Sequence, residues 1–148
     1  MNTSAAGNRN LYIRRAEIHD HPRIQALLSQ LELSYPALDL ASFWVGEIDG
    51  EIAAIAELRD LRTCSLLSCV GVDESSQGSG IGKALVEEVV RHAKHDIYLY
   101  TLVPGFFKKA GFAEAVTLPP DLPWRSWYGC VGCDPGRCIC LVRPRHDA

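Results

Sequence analysis

Residues 66–90 read LLSCVGVDESSQGSGIGKALVEEVV, and their reading decides the fold. Leu66 to Val72 is apolar and β-branched enough for a buried strand, and Asp73 to Ser76 interrupts it with turn residues. From Ile81 the period changes. Ile81, Leu85, Val86, Val89, Val90 and, just beyond, Ala93 share one helical face, with Lys83, Glu87, Glu88 and Arg91 outside it. Between strand and helix lies Gln77-Gly78-Ser79-Gly80-Ile81-Gly82. Small residues at a helix N-terminus let the backbone approach an anion closely, with amide N–H groups and the helix dipole directed at it. A mononucleotide loop would continue Gly-Lys-Ser/Thr, but Gly82-Lys83 is followed by Ala84. A dinucleotide loop should follow the first strand of a parallel sheet, and the preceding chain points elsewhere.

Upstream, Leu11–Arg15 is a short strand candidate, and Asp20 with Pro22 opens a helix carrying Ile24, Leu27, Leu28 and Leu31. Phe43 to Ile48, Asp49-Gly50 and Glu51 to Leu58 form the strongest hairpin signal in the chain. With the run Cys64 to Val72 this predicts an antiparallel meander ahead of the glycine loop. Downstream, residues 96–102 (DIYLYTL) predict a strand reached by a parallel crossover, and Phe106 to Ala110 a short helix ended by Gly111. Phe112–Val116 and Cys138–Val142 are expected as the last strands, separated by a loop rich in Pro and Trp.

The 148 residues suit one domain, expected over 11–148, with a disordered segment at 1–10. Fifteen Lys and Arg against 18 Asp and Glu leave a formal charge of -3, so no basic field exists to collect nucleic acid or anionic lipid. No apolar run approaches the roughly 18 residues of a membrane span, and no signal peptide is apparent. A cytoplasmic protein without nucleic-acid or membrane partners is expected, with a homodimer as the partnership to test.

Two signatures in order resemble those of the GNAT N-acetyltransferase family. Gln/Arg-x-x-Gly-x-Gly/Ala between a strand and a long helix is matched by Gln77, Gly80 and Gly82, and FFKKAGF, Phe106 to Phe112, is similar to the family's FYEKLGF. The resemblance extends to the hairpin and to the strand LLSCVGV. It implies an α/β fold with a mixed, mostly antiparallel sheet splayed around acyl-CoA. It also implies that the backbone of Val70 and Val72 pairs with the pantetheine arm. The loop residues Gln77, Gly78, Ser79, Gly80, Ile81, Gly82 and Lys83 would hold the pyrophosphate of the substrate acetyl-CoA. The Val70 N–H would stabilise the thioester oxyanion. Phe107 stands at the coenzyme-side position where the family often has a proton-donating Tyr, and phenylalanine has no proton to give.

Acetyl transfer also needs a base for the amine. Glu57 is the best placed carboxylate because the strand facing it is almost entirely apolar; Asp60 and Glu47 come next, and none of the five histidines is a candidate. Two branches look closest. The stretch Thr101 to Phe112 is similar to TxxPxFFxKxGF of short glutamate-type amino-acid acetyltransferases, and Leu66 to Val72 to LLxSLAV of arsenic-operon-associated acetyltransferases. Both often place Arg where this chain has Ser68, which puts a glutamate-type acceptor in doubt unless Arg59, Arg62 or Arg125 substitutes. The expected acceptor is a small-molecule amine, an amino acid or analogue, and the Trp124–Trp127 segment suits the closing of a small site.

Six cysteines include four in one stretch: Cys130, Cys133, Cys138 and Cys140. Cys-x-x-Cys is a zinc-knuckle spacing, whereas Cys-x-Cys on a strand separates its thiols by about 6–7 Å. A structural zinc site, reduced thiols packing a lid, and a redox or metalloid role are the readings. A catalytically silent acyl-CoA-binding or metal-sensing module is the alternative function, favoured by Phe107 and Ser68.

Overall fold

The computed structural model describes residues 10–33, 38–123 and 139–145. Within them the order is β1 (Leu11–Arg15), a 3-10 turn (Ile18–Asp20), α1 (His21–Gln30), a 3-10 turn (Leu40–Ser42), β2 (Phe43–Ile48), β3 (Glu51–Asp60) and β4 (Ser65–Val72). A third 3-10 turn (Glu74–Ser76), α2 (Ile81–Val90), β5 (Ile97–Thr101), α3 (Pro104–Lys108), β6 (Ala113–Glu114) and β7 (Ile139–Arg143) follow. The strands form one sheet in the order β1-β2-β3-β4-β5-β7-β6.

The hairpin forms as its sequence predicts. Asp49 and Gly50 have φ of 52° and 84°, the mirror-image turn whose twist matches two antiparallel strands. The meander continues from β1 through β4, antiparallel throughout, and β4 to β5 is the parallel crossover. The final elements differ from the expected 112–116. β6 has only two residues in register, opposite Leu141 and Val142, and Val116 is almost fully exposed. An edge strand whose side chains meet no second layer has little to hold it beyond its ladder bonds.

Each sheet face carries one long helix. Leu85, Val86, Val89 and Val90 of α2 pack on Trp44, Ala54, Ala56, Leu58, Leu67 and Leu99, and the small alanines let the helix sit close. On the other face Ile24 and Leu27 of α1 cover Phe43, Val45, Ile55 and Cys69. Each such side chain contributes about 1.5–3 kcal/mol on burial. A third cluster of Cys64, Leu66 and Leu122, with Tyr98, Tyr100 and Cys140 against it, lies under the chain that follows β6.

Arg14 fastens the entrance to α1. Its terminal nitrogens donate to both Asp20 oxygens at 2.8 and 3.0 Å, and its Nε donates to Glu47 at 2.6 Å. Asp20 is buried and also accepts the Glu17 amide at 2.7 Å. The Arg14 hydrogen bond holds the Asp20 carboxyl below the usual carboxylate range. Its stabilisation is therefore complete above the unfolded-state value of about 4 and fades as pH falls through the lower folded one. Asp20→Ala should cost about 3 kcal/mol in denaturant unfolding, because it leaves Arg14 partly buried without its main partner. Asp20→Asn should flatten the acid limb of the stability–pH curve relative to wild type.

Candidate active site

The sheet opens between β4 and β5. The two strands pair only at Ser65–Ile97 and Leu66–Tyr98, and beyond Leu66 they part, while β5 is paired along its length with β7 on its other side. Near the fork β4 is deformed. Its register with β3 steps from Glu57–Ser68 to Ile55–Gly71, leaving Cys69 and Val70 opposite Ala56 alone. Cys69 takes φ of 53°, uncommon for a residue with a side chain. A bulge of this kind bends its strand and withdraws backbone groups from the ladder. Val70 and Val72, both partly exposed, follow it along the opening.

Past Val72 the chain passes through the glycine loop into the start of α2. Gly80 is the N-cap at φ 85°, with no side chain over the helix end, and the first helical bond runs from the Ala84 amide to the Gly80 carbonyl at 3.1 Å. The amides of Ile81, Gly82 and Lys83 therefore have no acceptor within the helix. A Cβ on Gly82 would lie 3.0 Å from Val72 Cγ2 and 3.4 Å from the Phe106 ring, so glycine lets the first turn rest on the strand end. The Gln77 side chain donates Nε2 to the Val72 carbonyl at 2.9 Å and the Ser79 hydroxyl donates to the Ser76 carbonyl at 2.6 Å.

α1 holds the approach to this loop from across the sheet. Arg23 donates to Asp73 at 2.6 Å and to the Ile52 carbonyl at 3.2 Å, and Gln30 accepts the Glu74 amide at 3.3 Å. Asp73 caps the turn by accepting the Ser75 amide at 2.9 Å. That bond, then Arg23, lowers its carboxyl below the usual range.

Glu57 lies on interior strand β3 and is 1% exposed. Ser68 donates its hydroxyl to one Glu57 oxygen at 2.6 Å, and Arg59 donates Nε to the other at 2.5 Å. Arg59 keeps 21% of its side chain exposed. Ser68 stands two residues past the last β4–β5 pair, so the carboxylate is beside the fork. The three form a polar strip between the α1-side cluster with Phe43 and Cys69 and the cluster of Cys64, Leu66 and Leu122. On the same face, at the end of α1, a recess of about 340 Å³ is lined by Gln25, Leu28, Ser29, Leu33 and Leu38. Leu33 leans on β4 at Gly71, where an added Cβ would come within 3.1 Å of it.

The other carboxylates named from sequence have structural partners: Glu47 takes Arg14, and Asp60 accepts the Ser65 hydroxyl at 2.6 Å and the Lys94 amide at 3.0 Å. Phe107 is 7% exposed in the α2-side core, edge-on to Phe106 and Phe112; Phe106 is the ring that meets Gly82. Tyr98 and Tyr100 pack in the third cluster, where the Tyr100 hydroxyl donates to the Pro123 carbonyl at 2.7 Å. Cys140 faces Tyr100 across β5 and β7. Cys130, Cys133, Cys138, Arg125 and Trp124–Trp127 lie outside the described residues, so the four-thiol set is not described as a group. Among the described residues the one cluster with metal-ligand spacing is Glu17, His19 and Asp20, without a cysteine, and its Asp20 is already held by Arg14. No helix among the described residues is long and apolar enough to cross a membrane.

Arg59 and the Cys69 bulge are the components that sequence reasoning missed or undervalued. Arg59, named from sequence only beside Arg62 and Arg125, is largely covered and bonded to Glu57. The signal was the i, i+2 spacing of Glu57 and Arg59, which puts both on one face of a strand.

The sequence comparison decides the family, since residues 9–112 match the model of the acetyltransferase (GNAT) family. The chain belongs to the GNAT family. No curated protein sequence matches it. The GNAT fold is shared with N-acetylglutamate synthase from Neisseria gonorrhoeae, solved with coenzyme A and N-acetyl-glutamate. That match has 23% identity and a TM-score of 0.74, and covers 93% of this chain but 36% of the synthase chain. This GNAT chain thus spans about a third of that relative. A Mycobacterium tuberculosis protein solved with CoA matches at 21% identity and TM-score 0.70, covering 90% of this chain and 98% of its own. The ribosomal-protein-S18-alanine N-acetyltransferase of Escherichia coli matches at 18% and 0.63, covering 94% and 96%.

Burial first, then the charge of Glu57, pushes the Cys69 thiol up to about 12; burial and Asp121 push Cys64 up to about 11. Neither is a thiolate near neutrality. Peptide mapping after native alkylation at about pH 7.5 should find both unlabelled, with both labelled once the protein is unfolded.

Proposed function

We propose that this GNAT protein is an acetyl-CoA-dependent N-acetyltransferase that acetylates the amine of a small molecule, an amino acid or close analogue. The observation that carries this reading is the buried carboxylate of Glu57 beside the point where β4, bulged at Cys69, leaves β5.

The opening admits an extended pantetheine arm as a partner for the backbone of Val70 and Val72, in the manner of an added strand. Its pyrophosphate fits the cradle from Gln77 to Lys83, where Gly78 and Gly80 place no side chain over the site and the Lys83 ammonium adds charge. Glu57 accepts a proton from the amine, directly or through one water. The neutral nitrogen attacks the thioester carbonyl carbon, and the charge that develops on its oxygen is met by the Val70 N–H. As the carbon–sulfur bond breaks, the nitrogen, now bonded to the acetyl carbon, releases its surplus proton to water, and the thiolate takes a proton from solvent, because Phe107 has none to give. The products are the acetylated amine and coenzyme A. The silent alternative drew on Phe107 and Ser68; Ser68 is now accounted for by its bond to Glu57.

Calorimetric titration should show acetyl-CoA binding well below millimolar concentrations, abolished by Gly80→Glu, which places a side chain and a like charge in the cradle. Mass spectrometry should detect acetylated products from an amino-acid panel. Glu57→Gln should lower kcat by about 10²-fold or more while acetyl-CoA affinity stays within a few-fold. No binding at millimolar acetyl-CoA would overturn the reading.

A further inference from the structure

Four polar or charged side chains among the described residues are buried: Asp20, Glu57, Ser65 and Thr101. Asp20 and Glu57 have the partners given above, and the Ser65 hydroxyl donates to Asp60 and accepts the His95 amide at 3.2 Å. Thr101 is the exception. It is 7% exposed at the end of β5, and its oxygen accepts the Val103 amide at 2.9 Å. Its hydroxyl proton has no acceptor among the described residues, and an unused donor in a covered place costs free energy. The sheet places this hydroxyl at the fork. β4 and β5 pair last at Leu66–Tyr98, and three residues further along each wall Thr101 stands level with Cys69, the bulged residue. Thr101 shares a side of β5 with Ile97 and Leu99, which belong to the α2-side core on which Val70 and Val72 also pack. Thr101 and the Val70 backbone therefore border the opening at one depth from opposite walls.

We propose that the Thr101 hydroxyl donates a hydrogen bond to the coenzyme sulfur and holds the thiolate that departs on acetyl transfer. The proposal deepens the acetyltransferase reading and rests on it for the place of the thioester. An arm lying between the two walls as an added strand is one strand spacing, about 4.8 Å, from each backbone, so a group beside Val70 is within reach of a threonine side chain on the facing wall. A thioester sulfur is neutral and a weak acceptor. As the carbon–sulfur bond breaks, both electrons stay on sulfur, and a hydroxyl bonds such an anion much more strongly than it bonds the thioester. The bond therefore strengthens toward the transition state, which is the condition for raising kcat rather than lowering KM. Thr101 keeps its proton throughout, and the proton that completes the thiol comes from solvent. The Val103 amide, bonded to the same oxygen, fixes where that oxygen sits and leaves the O–H to turn toward the sulfur.

The test needs no acceptor. Calorimetry compares CoA with desulfo-CoA, which lacks the sulfur, at about pH 7 and about pH 9.5 under reducing conditions, in wild type, Thr101→Val and Thr101→Ser. The thiol is largely protonated at the first pH and substantially thiolate at the second. At the higher pH the preference of wild type for CoA over desulfo-CoA should exceed that of Thr101→Val by about fivefold or more, because the variant has lost a bond to an anion; at the lower pH the two preferences should agree within about twofold. Thr101→Ser, which keeps the hydroxyl, should recover most of the difference. Glu57 and Lys83, the charged groups that the reading places beside the coenzyme, are common to all three proteins and cancel. In an acceptor assay Thr101→Val should lower kcat by about tenfold with the acetyl-CoA KM within a few-fold. A hydroxyl that only braces the turn into α3 would change CoA and desulfo-CoA affinities together at both pH values, and that result overturns the proposal while leaving the acetyltransferase reading intact. Binding of neither coenzyme contradicts both. Should Thr101→Val fail to fold, wild type decides: its preference for CoA must rise between the two pH values, and a flat or falling preference overturns the proposal.

Discussion

The parting of β4 from β5 after Leu66 and Tyr98 is the constraint on which the site depends. A parallel pair normally continues as long as both strands run, but here β5 has its other edge committed to β7 along all five residues. On the β4 side the Cys69 bulge bends the strand away where it would otherwise follow its neighbour. The opening lies between two strands that are each anchored elsewhere, β4 by β3 and β5 by β7. Both walls therefore stay ordered, and unpaired backbone is presented to whatever enters.

The features around the opening are arranged from two sides of the sheet. On one, α2 places its N-terminal amides beyond the end of β4, and Gly82 allows its first turn to touch Val72. On the other, α1 sends Arg23 to Asp73 and Gln30 to the Glu74 amide, so the segment entering the glycine loop is held by the helix that flanks the Glu57 face. The polar strip follows the same economy of charge. Glu57, buried alone, would cost several kcal/mol, and bonds from Ser68 and Arg59 offset that while leaving a carboxylate at the fork.

Local chemistry made much of the fold legible from sequence. Asp49-Gly50 has one easy conformation between two strands, α1 and α2 announce themselves by apolar spacing, and the glycine loop combines with the helix it opens. Each of these is set within a few residues. The bulge is different, because nothing in Ser68-Cys69-Val70 demands a positive φ at Cys69; it arises from the register that β3 and β4 adopt as whole strands. Glu57 could be picked out as a carboxylate in an apolar strand, but its bonds to Ser68 and Arg59 depend on that same register. Where the resembling branches often have Arg, Ser68 offers a hydroxyl to Glu57, and the guanidinium on Glu57 is that of Arg59 on β3. Phe107 is likewise set by packing beyond its own motif. The resemblance assigns it to the coenzyme side, and the turn of α3 sets its ring in the core with Phe106 nearer the loop.

Amide hydrogen exchange with and without coenzyme A tests most directly whether the fork is where the coenzyme lies. The account predicts slower exchange on binding at Val70, Val72 and Gly80 to Lys83, with little change at Ser65 and Leu66, where β4 is already paired on both sides. Protection that spares Val70 to Lys83, or that appears only on faces remote from the fork, would contradict it.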